Sequence, residues 1–423
     1  MNYNKMVSIS QHKWFNDPDL THILSLLNQG KEKSCIVGGA VRNSLMNLSV
    51  QDIDIATTIY PDLVMKIFSK TPYKVIPTGI RYGTIKVLCR KKYFDITTLR
   101  RDLITDGRYA QVIFTRDWKA DSLRRDFTIN ALYADQHGKV IDYVGGLNDL
   151  KNHTIKFIGN AHHRILEDYL RILRFFRFFA HYGEKNIDSD GLLASIKTKK
   201  CLQILSSERI WSEIKKILEA VNPLDAIIHM YNGKIFEEIF LNVQESSLNK
   251  LSKVIEGEEV FGWKVDPLLR FAVLLSLRDN DAILYVVNKL KLSRDIKYFL
   301  TSFISFNVHK ETLSIQEVKK NFYLYGEKVI IAKLKFFLAI NYKSISHKDT
   351  SFILQVLSDI ISWKKPLFPL RGDDVLQYGI PSGREVGDLL FHCKQEWINS
   401  SFQLSQKDLL HFLQKLIADQ NKK

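Results

Sequence analysis

The stretch "CIVGGAVRNSLMNLSVQDIDIATT", Cys35 to Thr58, decides how this chain is read. An apolar run ends at Gly38 and Gly39, Arg42 follows, and Asp52 and Asp54 then appear within "QDIDIA". Side chains alternate faces along a strand, so both aspartates are expected on one face of a strand through this segment. Like charges that close repel unless a cation lies between them, and two carboxylates one strand step apart can share a hard divalent ion such as Mg²⁺. A bare DxD also fits an exposed edge strand with two solvated aspartates, so the pair does not decide the matter alone. The glycines shift the balance. Without side chains they let backbone N–H groups approach a phosphate at the start of a helix, and Arg42 adds a fixed positive fork. Together these features describe a site for a nucleoside triphosphate held by its phosphates. It is not a P-loop, because no GxxxxGK[ST] is present. Asp95, in "KYFDITTL", is expected mid-strand as a third carboxylate. Three carboxylates on adjacent strands would hold two metals, activating a hydroxyl and stabilising a leaving pyrophosphate.

With 423 residues the chain has room for two to four domains. It carries 61 Lys+Arg against 46 Asp+Glu, a net charge of +15, which speaks of partners rather than of fold and favours nucleic acid. No basic amphipathic helix suits a membrane surface, and the apolar runs are broken by lysines before they reach spanning length. Four widely spaced cysteines without a CxxC suggest neither zinc nor a disulfide framework. The N-terminus lacks the apolar core of a secretory signal, so a cytoplasmic location is expected.

The first 150 residues read as mixed α/β. A helix runs through "LTHILSLLNQG", a strand through "SCIVGG", a helix through "AVRNSLMNL", a strand through "QDIDIATT" and a helix through "PDLVMKIFSK". Three strand-like runs follow, "YKVIPT", "GTIKVLCR" and "KYFDITTL"; then a polar loop, a helix through "DSLRRDFTINAL", and strands near "LYAD" and "GKVIDYV". Beyond Ala161 long helical periodicities take over, in "RILEDYLRILRFFRFFAHYG", "SERIWSEIKKILEAV" and "HKDTSFILQVLSDIISWKK". The expected fold is α+β: a mixed-sheet head over residues 1–155, a helical neck over 156–225, and a helical body and tail over 226–423.

The stretch "GGAVRN…DIDIATT" resembles the signature of the nucleotidyltransferase head of the class II tRNA nucleotidyltransferase (CCA-adding enzyme) and bacterial poly(A) polymerase family. Four further stretches agree in order: "RRDFTINAL" (Arg124 to Leu132) with a ribose-recognising motif, "DYVGGLNDL" (Asp142 to Leu150) with a hinge motif, "EDYLRILR" (Glu167 to Arg174) with a base-recognition helix, and "ERIWSEIKKIL" (Glu208 to Leu218) with a final RxxxE motif at Arg209 and Glu213. The match covers about residues 34 to 218. It implies Asp52 and Asp54 as Mg²⁺ ligands, catalysis by Asp52, Asp54 and Asp95, and nucleotide binding by Gly38, Gly39, Arg42, Arg124, Arg125, Asp126, Asp168, Arg171, Arg174 and Arg177. Asp126 would accept from a ribose hydroxyl, with Asn130 in support.

In "EDYLRILRFFRFF" arginines recur every three residues among Leu, Ile and Phe, which fits either a recognition face or a buried ion-pair network. Asp168 and Arg171 stand three apart, where side chains on one helix can lie edge to edge. An acceptor beside a donor matches the pairing edges of cytosine and adenine, and mismatches those of uracil and guanine. The resemblance implies that such a pair serves as a protein template. The partners implied are CTP, ATP and the 3′ end of tRNA, the RNA being held through phosphates by the helical half. Candidate basic stretches are "KTKK" (Lys197 to Lys200), "EIKKIL" and the terminal "NKK".

This chain departs from the family pattern at Asn43, where Asp is usual; at Asp95, often Glu; and in "DGRYAQVIF", which replaces a common "DGRHP" form. CCA addition is favoured by "PTGIRYGTI" and by the full length of the loop "RRDLITDGRYAQVIFTRDW". Poly(A), CC-only and A-only activity are the alternatives within the family, and a catalytically idle RNA-binding protein is the alternative outside it. No adjacent His-Asp doublet suggests an added phosphohydrolase domain.

Overall fold

The run "SCIV" is apolar enough to be covered on both faces, and β1 (Ser34–Val37) is buried along its whole length. It lies inside a mixed seven-stranded sheet with β2 (Ile53–Thr57), β3 (Lys74–Gly79), β4 (Thr84–Cys89), β5 (Lys92–Thr98), β8 (Leu132–Ala134) and β9 (Val140–Asp142), in the order β3-β4-β5-β2-β1-β8-β9. The β2–β5 pair is parallel and the others are antiparallel. The computed structural model describes residues 7–420 except 91, 107–108, 185, 240, 276–278 and 310–312.

Register decides what the sheet presents. Tyr133, Val37, Asp54, Asp95 and Lys86 are successive lateral partners across β8, β1, β2, β5 and β4, so their side chains share one face. Helix α1 (Pro18–Leu27), capped by Asp17, precedes the sheet. Helices α2 (Gly39–Leu45) and α3 (Pro61–Phe68) follow β1 and β2.

Three expectations are corrected. The "polar loop" is in part a hairpin, β6 (Arg100–Asp106) paired antiparallel with β7 (Tyr109–Phe114); Gly107 and Arg108 of "DGRYAQVIF" lie outside the described residues. The helix expected through "DSLRRDFTINAL" is only α4 (Trp118–Leu123). The chain leaves it because Phe127 turns extended and bridges Phe157, burying its ring against Phe157, Phe175 and Phe178. A short 3₁₀ turn, Thr128–Asn130, follows. Helix α5 (Gly146–Lys151) packs on that turn so closely that a Cβ at Gly146 would stand 2.2 Å from the Thr128 carbonyl oxygen.

The third correction concerns "RILEDYLRILRFFRFFAHYG". It is two helices, α6 (Ala161–Glu167) and α7 (Arg171–Tyr182). Asp168 between them is extended, and its carboxylate accepts from the Leu170 N–H, a local bond that competes with helix continuation. Helix α7 buries Ile172, Leu173, Phe175, Phe176, Phe178 and Phe179 and leaves its arginines only partly covered. Helices α8 (Ser189–Thr198), α9 (Ser207–Leu218), α10 (Leu224–Asn232) and α11 (Ile235–Glu238) complete the first compact unit, Met1–Val243. The head and neck expected at 1–155 and 156–225 lie together within it.

The second unit, Gln244–Lys423, is helical throughout its described residues. Its helices include α12 (Glu245–Val260), α13 (Pro267–Leu275), α14 (Asn280–Lys289), α15 (Arg294–Ser305), α16 (Ile315–Tyr325), α17 (Glu327–Asn341) and α18 (His347–Ser362). One core gathers Val318, Phe322, Ile330, Leu334, Leu338 and Ile353. Another gathers Tyr323, Val375, Leu389, Cys393, Trp397 and Leu413.

Candidate active site

Asp54 and Asp95 are direct lateral neighbours on parallel strands, and Lys86 follows Asp95 in the same row, its Nζ 3.0 Å from Asp95 Oδ2. Asp54 is open to solvent yet crowded by protein. Partial desolvation, then Asp95, with a further contribution from Asp52, raises its pKa against the opposing pull of Arg125 and Lys86. Asp52 lies one residue before the strand rather than within it, and is exposed.

The donor set can be tested against a metal. Among the described residues, no group of three His, Cys, Asp or Glu side chains converges as a ready-made metal cage. Asp95 Oδ1, however, is buried without a hydrogen-bond partner, next to a carboxylate whose ionised form is already penalised. Mg²⁺ is commonly held by one or two carboxylates together with substrate phosphates. The pair fits that arrangement.

Gly38 ends β1 with φ +73°, a conformation costly for other residues, and a Cβ there would face the Asn130 carbonyl oxygen at 3.5 Å. Arg42, four residues on, is buried and does not present an open fork. Its Nε and Nη2 donate to Asn43 Oδ1 at 3.2 and 2.9 Å, Nη2 also donates to the Tyr182 hydroxyl at 2.8 Å, and Nη1 donates to Asn130. The guanidinium also lies 4.1 Å from the Tyr182 ring centroid. Asn43, the departure from the usual Asp, supplies the same acceptor and anchors itself to the Ser49 carbonyl.

The Asp126 carboxylate then accepts from Asn130 Nδ2 and from Nε and Nη2 of Arg174. Burial alone would raise the Asp126 pKa; Arg174, Asn130 and the Phe127 N–H overcome it and hold the carboxylate far below its usual range. Arg124 and Arg125 are held by Asp121, which is 1% exposed. There too burial is outweighed by both arginines and the Tyr133 hydroxyl, leaving Asp121 at about 2. Sequence reasoning missed Asp121, although its offsets of three and four from Arg124 and Arg125 on a helix are a usable signal.

Asp168 does not pair with Arg171. Both of its oxygens lie 3.0 Å from Nη2 of Arg209, the first residue of the RxxxE pair. Nη1 of Arg171 donates to Glu167 and to the Arg164 carbonyl, each at 2.6 Å. Arg177 pairs with Glu213, the last residue of RxxxE, at 3.2 Å. The final motif thus braces α6 and α7 from α9. Each arginine of α7 sits in an ion pair, as the network reading expects: Arg171 with Glu167, Arg174 with Asp126 and Arg177 with Glu213.

A cleft of about 460 Å³ is lined by Gly38, Gly39, Arg42, Asp54, Arg124, Arg125, Asp126, Asn130, Asp168, Arg171, Arg174 and Phe178. Most of the residues singled out from sequence meet there. Arg177, Asp95 and Asp52 do not line it, and Asp95 adjoins it as the lateral neighbour of Asp54. Phe178 was not foreseen; its ring lies 4.6 to 5.4 Å from the guanidinium carbons of Arg42, Arg174 and Arg177. Of the basic stretches, Lys215, Lys216, Lys197 and Lys200 are exposed, whereas Lys199 bonds the Gly233 carbonyl; the terminal "NKK" lies outside the described residues.

Comparison with known proteins places the chain in a family. Residues 34–156 match the family model "Poly A polymerase head domain", and residues 186–246 match "Probable RNA and SrmB- binding site of polymerase A". The chain is 34% identical over 386 residues to CCA tRNA nucleotidyltransferase 1, mitochondrial, of Mus musculus, covering 90% of this chain and 86% of that protein. It is 30% identical over 376 residues to the CCA-adding enzyme of Streptococcus pyogenes serotype M1, covering 87% and 89%. The fold resembles the crystal structure of the Bacillus stearothermophilus CCA-adding enzyme in complex with CTP, with a TM-score of 0.74, 23% identity and coverage of 95% and 98%. The chain therefore belongs to the class II tRNA nucleotidyltransferase and bacterial poly(A) polymerase family.

Proposed function

We propose that this chain is a template-independent RNA nucleotidyltransferase that completes the 3′ end of tRNA with CCA, drawing on CTP and ATP. The observation that carries this reading is the cleft that joins Asp54 to Asp168 and Arg171, in a chain aligned over 86% of a relative named for CCA addition to tRNA.

The RNA 3′-hydroxyl gives up its proton to solvent as its oxygen forms a bond to the α-phosphorus, the bond from that phosphorus to the oxygen bridging to the β-phosphorus breaks, and pyrophosphate leaves with that oxygen. Asp52, Asp54 and Asp95 are the residues that would hold Mg²⁺, which when bound supplies charge neutralisation at the phosphates and acidifies the attacking hydroxyl. Arg124, Arg125 and Arg174 face the nucleotide's charge from the cleft wall. Arg42 positions the Gly38–Gly39 turn and, through Asn130, the ribose-facing Asp126. Asp168 accepts from the exocyclic amine of C or A while Arg171 donates to the ring nitrogen beside it. Glu167 and Arg209 hold that pair in place, and Arg177 acts from behind it through Glu213. U and G would leave both groups mispaired, which is the basis for rejecting them.

Residues 1–155 thus serve as catalytic head, 156–225 as base-reading neck and 226–423 as RNA-binding body and tail. The net charge of +15 supports phosphate contact as the main source of RNA affinity. A cytoplasmic setting is part of the same reading, supported by four free cysteines, three of them buried. Among the described residues no helix is long and apolar enough to cross a membrane.

The experiment is to incubate tRNA lacking its 3′ CCA with each labelled nucleotide and with CTP plus ATP, and to sequence the product ends. Ends of CCA support the reading. Ends of CC alone, A alone or long poly(A) would replace it with the corresponding family activity, and unchanged ends would leave an RNA-binding protein.

A further inference from the structure

Lys333, on α17 in the second unit, is only 7% exposed, yet no carboxylate pairs with it among the described residues. Its Nζ makes one long hydrogen bond, 3.4 Å to Asn307 Oδ1, and lies 4.3 Å from the Phe303 ring centroid. A buried cation in this unit can be neutralised: Arg270 is fully buried and bonded to Glu258. Lys333 has no such partner, and an unpaired buried charge costs stability.

Lys333 borders a cavity of about 370 Å³ whose polar lining is Gln244, Ser246, Lys250 and Asn307, with Phe303 and Phe336 as apolar wall. Gln244 and Ser246 begin α12, a 16-residue helix whose N-terminus has no side-chain cap. A long helix places partial positive charge and N–H donors at that end. The cavity therefore combines an unneutralised buried ammonium, a second lysine, an amide-bearing side chain and an uncapped helix start. We propose that it binds a phosphate group, with Lys333 as the central donor and Lys250 and the first turn of α12 completing the charge balance. Burial alone lowers the Lys333 pKa to about 8, the response of an ammonium that lacks its counter-charge.

The phosphate can come from solution or from an RNA backbone, and the RNA source rests on the transferase reading above. The test uses the full chain and Lys333→Met, which keeps the unbranched stem, one atom shorter, and removes the charge. Thermal unfolding is followed in inorganic phosphate and in chloride at equal ionic strength. The wild type should gain several degrees from phosphate, whereas Lys333→Met should be at least as stable in chloride and gain less. Phosphate bound in the nucleotide cleft would shift both proteins alike, so the difference between them isolates this cavity. Binding of tRNA lacking CCA, measured against salt, separates the sources. A loss of about one unit in the slope of log K against log salt in Lys333→Met assigns an RNA phosphate; an unchanged slope with a lost phosphate response assigns a free phosphate. Should Lys333→Met fail to fold, amine labelling of Lys333 in the wild type replaces it, and phosphate or tRNA should protect the residue. An equal phosphate response and an equal salt slope in both proteins, or no protection, overturns the proposal. The product ends that the wild type makes on tRNA lacking CCA test the transferase reading without Lys333→Met, so that reading and this proposal fail separately.

Discussion

Asp54 of β2 and Asp95 of β5 stand side by side in register on parallel strands, two carboxylates in one row with Lys86 beyond them. Their repulsion is built into the sheet. Because the Asp54 pKa is raised, its ionised form is penalised in the folded state, and stability falls as pH rises through the interval between its ordinary and its folded value. Asp54→Asn should therefore melt no lower than wild type at neutral pH, with the advantage vanishing in acid. Mg²⁺ should raise the melting temperature of the wild type but not of the variant, and nucleotide addition should fall by at least ~10²-fold. An Mg²⁺ response preserved in Asp54→Asn would remove this carboxylate from the metal site.

Asp121 carries the opposite sign. Its pKa is lowered to about 2, so the stability it contributes is fully present above the ordinary carboxylate value and is lost as pH falls from about 4 toward about 2. Asp121→Asn leaves Arg124 and Arg125 without their buried counter-charge, and should cost roughly 3–5 kcal/mol at neutral pH, with KM for nucleotides rising as the arginines lose their positions. Denaturant unfolding at neutral pH and in acid checks this: the gap between the two proteins should narrow in acid, and a constant gap would contradict it.

Arg42 joins Asn43, Asn130 and Tyr182, and so ties α2 to the end of α7. Lysine cannot reproduce that fork. Arg42→Lys should lose about 1.5–3 kcal/mol, the range for hydrogen bonds to a charged group. Denaturant unfolding measures the loss, and stability equal to wild type would return Arg42 to the simpler part of a phosphate contact.

The strands of the sheet and the positions of Asp54 and Asp95 within them were legible in sequence from the apolar runs around β1, β2 and β5, whereas the pairing register was not, and Asp52, expected in the strand, lies just before it. The break between α6 and α7 was not. "EDYLRILR" keeps helical periodicity through Asp168, and what interrupts the helix is a local carboxylate bond together with Arg209, 41 residues away. Asp168 and Arg171 both line the cleft, but they flank a helix junction and bond Arg209 and Glu167 rather than facing each other across one helical turn. The β6–β7 hairpin escaped because β6, Arg100–Asp106, is largely polar and lacks the apolar alternation that marks a half-buried strand, which left the more apolar β7 without an evident partner. Among the cleft's supporting residues, Phe178 and Tyr182 were hidden because their contacts with Arg42 come from packing between distant elements, whereas Asp121 was overlooked despite its local spacing to Arg124 and Arg125.

The most direct test of the account is kcat/KM for CTP, ATP, UTP and GTP on tRNA lacking CCA, in wild type and in Arg171→Ala. The wild type should use CTP and ATP and reject the others. In the variant the preference should shrink by about one to two orders of magnitude, the cost of roughly 1–3 kcal/mol for an unpaired buried group. A variant that is slower but keeps the same ratios among the four nucleotides would contradict base selection by Asp168 and Arg171.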